Sequence, residues 1–282
     1  MRSSNPVFAR SEQFAPQQPT SQGYPQQGYG YPQQPSGDPY GQQPYGVPQP
    51  QQPAGGVMTI DDVITKSAIT LGVVFLVAAL SFMFLPAVLP SMMSLGVVTM
   101  VAGLITFGVV LMMSFRRQIG APFVMLFSVV EGVFVGAFSL LFEILYPGIV
   151  VPAVLATFVA AAATLAAYKG LRIKVTSQFR KIVTISTFAF AGLVLLNLGL
   201  SFAGIDLGIR NIGSGAGLLA VAISIVALVL AVANLIMDFD YIEQGIRNRL
   251  PASESWRAAF GLTVTMVWLY TEILRVMSYF RN

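Results

Sequence analysis

Four acidic side chains within or beside strongly apolar stretches are the residues of this sequence best suited to chemistry. Glu131 interrupts the apolar segment 121–142, Asp238 and Asp240 follow the apolar run that ends at Met237, and Glu272 lies inside the last apolar segment. Ionisable groups at membrane depth cost several kcal/mol, so each of these acids requires a neutralising partner or a functional reason.

Each acid has both a structural and a functional explanation. Asp238 and Asp240 could lie at headgroup depth, Arg275 could neutralise Glu272 three residues before it, and a hydrogen-bonded Glu131 could serve packing alone. The functional explanation is one interior cluster of carboxylates that binds protons or a hard cation. Carboxylates held close together cannot all ionise, so such a cluster senses pH without histidine, and its oxygens suit Ca²⁺.

The composition excludes most catalytic chemistry. The 282 residues are 55% hydrophobic and 10% charged, and they include no Cys and no His. Soluble domains carry about 25% charged residues, so a hydrocarbon environment explains the sequence better than an aqueous one. Without Cys or His there is no disulfide, thiolate metal site or His-dependent hydrolase, and we expect neither an enzyme nor a bound cofactor.

The elements that would position the acids are seven apolar runs, each near the ~20 residues that cross a bilayer. They predict an all-α integral membrane protein with transmembrane helices at about 67–85, 92–115, 121–142, 149–168, 182–203, 217–237 and 258–279. Thr59 is a predicted N-cap ahead of the first helix. The small residues Ala160–Ala163, and Gly132 with Gly136, would allow close helix packing. Because the seventh run carries Glu272 and Arg275, a re-entrant hairpin is an alternative for it.

Lys and Arg in the connecting loops predict the orientation. The connections after helices two, four and six hold ten of them, including Arg116, Arg117, Arg180 and Lys181, whereas those after helices one, three and five hold only Arg210. Positive loops stay in the cytoplasm, so a multi-pass cell-membrane protein with its N-terminus inside and its C-terminus outside is expected. Orientation explains the net charge of +4 better than binding to nucleic acid does.

Residues 1–56 differ in composition from the membrane domain, 57–282. They hold eleven of the seventeen prolines and repeated Gln-Gln-Pro and Tyr-Gly units. A segment with so few aliphatic side chains cannot offset its chain entropy, so a disordered cytoplasmic tail is predicted.

Several motifs resemble the Bax inhibitor-1 family, in its actinobacterial, YccA-like branch. They are Met58-Thr59-Ile60-Asp61-Asp62-Val63, Val130-Glu131-Gly132, the stretch 238–245 (DFDYIEQG), the stretch 254–263 (ESWRAAFGLT) and Trp268-Leu269-Tyr270. The resemblance covers residues 58 to the C-terminus and implies a seven-helix bundle. For better studied members it also implies a calcium leak closed by two aspartates on helices six and seven.

The family's paired acids match Asp240, within Phe239-Asp240, and Glu272, where this chain has Glu in place of Asp. The resemblance thus implies that Asp240 and Glu272 form the proton-sensitive latch and would be the ligands of a transported Ca²⁺. Asp238 and Glu131 are the further candidates for ion gating.

Two functions remain open at this point. One is a pH-sensitive cation leak, with Ca²⁺ and protons as its partners besides the lipid bilayer. The other is a regulator that does not transport but binds other membrane proteins, such as a membrane protease or a stress-response partner. The leak requires carboxylates that face a hydrated interior, whereas the regulator would tolerate neutral replacements.

The loop charges generate a prediction about topology. Single cysteines at Ser36 and Asn282, placed in a chain that has no other Cys, should differ in labelling by an impermeant thiol reagent, with Asn282Cys labelled in intact cells and Ser36Cys protected. Equal protection of both sites would contradict the seven-span orientation and favour six spans plus a hairpin.

Overall fold

The membrane domain is a bundle of long helices. The computed structural model describes residues 56–281 apart from 90, 117 and 206; the predicted tail up to residue 55, and Arg117, lie outside the described residues. The described residues form seven helices, α1 (Ile60–Val88), α2 (Met92–Ser114), α3 (Ala121–Leu145), α4 (Val150–Gly170), α5 (Ser177–Phe202), α6 (Leu218–Arg247) and α7 (Glu254–Ser278). All seven are long and apolar enough to cross a membrane, which confirms the predicted fold.

Several helices extend beyond their apolar runs. α1 begins at Ile60, directly after the predicted N-cap Thr59 and seven residues before its apolar run. α6 continues ten residues past Met237, so its predicted end was wrong. α5 begins at Ser177, where the Thr176 hydroxyl accepts a hydrogen bond from the Phe179 N–H, so Arg180 and Lys181 lie on a helix rather than in a loop. Charged residues carry little penalty at headgroup depth, so a helix can continue where its hydropathy ends.

α7 is the central helix of the bundle. It is one continuous helix of 25 residues, not a re-entrant hairpin, and it packs against α1, α3, α4 and α6. α5 lies at the periphery, with α6 as its principal neighbour and Val183 as its one buried residue. Polar side chains on α7 are therefore surrounded by protein, whereas most of α5 faces lipid.

Two glycines on α3 permit close packing against α1, as the sequence predicts. A Cβ atom on Gly132 would lie 2.6 Å from Val77 Cβ, and one on Gly136 would lie 2.5 Å from the Ala78 carbonyl oxygen. In the alanine run of α4, residues 160 and 161 pack on the main core, but 162 and 163 are exposed.

The start of α1 is attached to the α6–α7 connection. The Met58 N–H donates to the Leu250 carbonyl oxygen at 2.7 Å, and the Lys66 ammonium donates to the Ala252 carbonyl oxygen at 3.0 Å. Thr59 caps α1 as predicted, because its hydroxyl accepts from the Asp62 N–H at 3.2 Å. These contacts place the beginnings of α1 and α7 at the same end of the bundle.

The glycine contacts predict a large difference between two substitutions. Gly136→Val should destabilise the bundle by about 1–3 kcal/mol, because the added atoms meet the α1 backbone. The control is Gly192→Val on α5, where a Cβ meets nothing within 4 Å. Thermal unfolding in detergent measures both, and equal shifts in the two midpoints would refute the close α1–α3 contact.

Candidate functional site

Glu131 is a buried acid whose carboxyl group is incompletely hydrogen-bonded. It lies ten residues into α3 and is 4% exposed. The hydroxyl of Thr106 on α2 faces this carboxyl group. Glu131 Oε2 and Thr106 Oγ1 are both buried and have no hydrogen-bond partner among the described residues.

Asp238, nine residues before the end of α6, is similarly placed beside α7. Its Oδ2 atom is buried and has no hydrogen-bond partner among the residues that the structure describes. The hydroxyl of Thr265 faces this carboxyl group, and a Cβ atom on Gly261 would lie 3.4 Å from Asp238 Oδ1. Gly261 thus leaves room for the Asp238 carboxylate against the central helix.

Glu131 and Asp238 lie at a similar depth in the bundle, together with several threonine hydroxyls. We call the end with the α2–α3, α4–α5 and α6–α7 connections the basic end. At 1.5 Å per residue, Glu131 and Asp238 lie about 15 and 14 Å from that end of their helices. The Thr70 and Thr263 hydroxyls, hydrogen-bonded at 3.0 Å, lie at about the same depth on α1 and α7. We define the polar layer as Thr70, Thr106, Glu131, Asp238, Thr263 and Thr265.

Asp240 has a cationic partner outside this layer. Its Oδ2 accepts hydrogen bonds from Arg180 Nη2 of α5 at 2.7 Å and from Gln244 Nε2 at 2.6 Å. The Asp240 side chain is 12% exposed and that of Arg180 is 47% exposed. The ion pair joins the peripheral α5 to α6 near the basic end.

Glu272 is neutralised at the opposite end of the bundle. Its two carboxylate oxygens accept from Arg210 Nη2 at 2.7 Å and Nη1 at 3.3 Å, while Arg275 Nε lies 3.8 Å away. The Arg210 guanidinium also lies 5.5 Å from the ring centre of Phe190. Arg275 therefore contributes less to the neutralisation of Glu272 than the arginine of the α5–α6 connection does.

The connection that carries Arg210 is bound to the end of α7 at several points. Arg275 Nη1 donates to the Arg210 carbonyl oxygen at 2.8 Å, and the Gly213 N–H donates to the Ser278 hydroxyl at 3.2 Å. The Tyr279 hydroxyl donates to the Asn211 carbonyl oxygen at 3.3 Å. This segment covers the end of the bundle that lies away from the basic end.

The predicted latch between Asp240 and Glu272 is wrong for this structure. α6 runs toward the basic end and α7 runs away from it, so Asp240 lies about 10 Å and Glu272 about 27 Å from that end. The two acids bind different arginines, and neither they nor Asp238 and Glu131 form one cluster. Within the described residues, no group of three or more His, Cys, Asp or Glu could hold a metal ion.

Sequence reasoning did not identify Arg180 and Arg210 as partners of the acids. A signal for Arg210 existed in the sequence. It is the one Lys or Arg in the connections after helices one, three and five, and so it is an exception to the charge asymmetry on which the predicted orientation rests. Arg180 could not be recognised in the same way, because three other basic residues precede it in a stretch where positive charge is already expected.

A family model described as Bax inhibitor 1 like matches residues 5–282 of the chain. No curated protein is similar enough to count as a match.

The buried ion pair at Glu272 predicts a strong effect on stability. Glu272→Gln should cost about 3–5 kcal/mol, because it leaves Arg210 and Arg275 without their buried countercharge. Adding Arg210→Gln should recover part of that loss. The control is Asp62→Asn at the more exposed Lys66 pair, which should cost less than about 1 kcal/mol. Thermal unfolding of the three variants in detergent measures these differences, and an unchanged Glu272→Gln variant would refute the pairing.

Proposed function

Since the chain belongs to the Bax inhibitor 1 like family of multi-pass membrane proteins, we propose that it is a pH-sensitive leak for hard cations such as Ca²⁺. The observation that carries the proposal is the polar layer, in which Glu131 and Asp238 each keep a buried carboxylate oxygen without a hydrogen-bond partner among the described residues. A buried carboxylate oxygen without a hydrogen bond costs free energy. Binding of a cation or a proton by these oxygens would account for the presence of the two acids.

The ligand chemistry of the layer supports a hard cation. Carboxylates and hydroxyls from α1, α2, α3, α6 and α7 supply oxygen atoms, which are the ligands that Ca²⁺ prefers. The threonine hydroxyl that faces Glu131 comes from α2, and the one that faces Asp238 comes from α7, and neither acid has a further carboxylate beside it among the groups that act on it. Such sparse sites suit transit, because conduction requires binding that is weak enough for the ion to leave.

The two ion-paired acids support a closed state at both ends. Glu272 and Arg210 hold the α5–α6 connection over one end, and Asp240 and Arg180 hold α5 against α6 near the other. In this proposal the arginine pairs act as closures, and the acids without arginine partners act as the ion-binding groups. A leak would require at least one closure to separate, by movement of α5 and the connection that follows it.

The pH dependence would come from carboxyl groups. The chain has no His and no Cys, and Glu131 and Asp238 are the side chains of the polar layer that can gain or lose a proton. A protonated carboxyl group no longer attracts a cation, so the flux should rise as the pH rises and Glu131 and Asp238 ionise. The basic end would face the cytoplasm, because it carries ten of the eleven loop cations.

Calcium flux into proteoliposomes at several pH values tests the proposal. Glu131→Gln and Asp238→Asn keep side-chain shape while removing charge, so each should lower the high-pH flux about tenfold, equivalent to a loss of about 1.4 kcal/mol of ion stabilisation, and flatten the pH profile. Asp61→Asn, at an exposed acid in the first turn of α1, is the control and should leave both unchanged.

If Glu131→Gln and Asp238→Asn both retained the parent's flux and pH response, the leak mechanism would be wrong. The same conclusion would follow if the parent protein passed no more Ca²⁺ than empty liposomes. The regulator that binds other membrane proteins would then become the leading hypothesis.

A further inference from the structure

A cationic cavity lies between the beginning of α5 and the end of α6, away from the polar layer. Its volume is about 560 Å³, and its lining includes Ser177, Arg180, Lys181, Thr184 and Gln244. That volume falls in the range of cavities that bind small molecules, about 300–1,000 Å³. The lining combines two cations, two hydroxyl groups and one amide with the apolar side chains of Val175 and Ile185.

The charge of the cavity selects an anion. Asp240 neutralises Arg180 through a single guanidinium nitrogen, Nη2, so the remaining N–H groups of this half-exposed side chain can bind elsewhere. Lys181, on the first turns of α5, adds a second positive charge. Arginine and lysine with adjacent hydroxyl groups are the donor set that recognises a phosphate group.

The position of the cavity at the membrane surface indicates that the phosphate belongs to a lipid. Arg180 and Lys181 lie three and four residues into α5, about 5 Å from the start of a membrane-crossing helix, which is headgroup depth. Below them the exposed apolar side chains of Ile182, Ile185 and Phe188 continue along α5. A phospholipid with its phosphate in the cavity would lay its acyl chains along this apolar surface.

We propose that this cavity binds the headgroup of an anionic phospholipid from the leaflet at the basic end of the bundle. Arg180 and Lys181 contact the phosphate. Ser177 and Thr184 lie about 10 Å apart along α5, so they donate hydroxyl hydrogen bonds to the polar groups of the lipid on either side of the phosphate, and the lipid packs α5 against α6. The peripheral α5 has α6 as its principal protein neighbour, so a lipid held in this cavity contributes to its attachment.

Thermal unfolding of the full chain in phosphatidylcholine micelles with increasing phosphatidylglycerol of the same acyl chains tests the proposal. Phosphatidylglycerol should raise the unfolding midpoint of the parent protein. Lys181→Gln should require about fivefold more phosphatidylglycerol for the same shift, as expected for one cation near a membrane surface. The matched control is Lys174→Gln, an exposed lysine in the connection just before α5 and outside the cavity lining. Both lysines are exposed, so both variants should fold.

Three outcomes would overturn the proposal. Equal effects of Lys181→Gln and Lys174→Gln would indicate diffuse attraction to the membrane rather than a site. The same stabilisation by inorganic phosphate at matched concentration would indicate a site for a soluble anion. A midpoint that does not respond to phosphatidylglycerol would exclude the lipid.

Discussion

Every polar group on the central helix of a membrane bundle must find its partner within the protein, and the arrangement of the other helices around α7 depends on this constraint. Thr263 bonds to Thr70 of α1, Tyr270 bonds to Ser139 of α3 at 2.7 Å, and Glu272 bonds to the connection before α6. Each contact attaches a different neighbour at a different depth. The polar pairs therefore fix the axial position of each neighbour along α7, which apolar packing alone would leave less defined.

The acids divide into two classes according to their partners. Asp240 and Glu272 form ion pairs with arginines. These pairs neutralise the two acids and hold α5 and the connection after it in place. Glu131 and Asp238 have threonine hydroxyls near them and retain unsatisfied oxygens within the described part of the chain. Acids that look alike in sequence therefore have different chemical surroundings, and the proposed division into closures and ion-binding groups rests on that difference.

The fold could be predicted from sequence because hydropathy and length determine membrane crossings directly. Gly132 and Gly136 could also be assigned, since two small residues four apart form a packing surface on one helix face. Helix ends were missed because hydropathy marks where hydrocarbon ends, whereas α6 continues to Arg247 on the strength of its backbone hydrogen bonds.

The candidate site was harder to predict, because sequence reports the depth of a residue more reliably than its partner. Asp240 and Glu272 were paired by family pattern, yet their distances from the α6–α7 connection already place them about 17 Å apart along the bundle. Their real partners, Arg180 and Arg210, come from sequence positions about 60 residues away. Pairing rules for residues three or four apart on one helix cannot identify such pairs, which form only when the helices pack together.

Disulfide cross-linking in the membrane tests most directly the central claim that Asp240 and Glu272 lie apart with separate partners. The chain has no Cys, so introduced pairs report without background, and a disulfide forms only when the two Cα atoms approach within about 7 Å. Thr70→Cys with Thr263→Cys replaces a hydrogen-bonded pair at 3.0 Å and should cross-link rapidly under mild oxidation. Asp240→Cys with Glu272→Cys should not cross-link under the same conditions. Cross-linking of the second pair as fast as the first would contradict the account and restore a direct latch between helices six and seven.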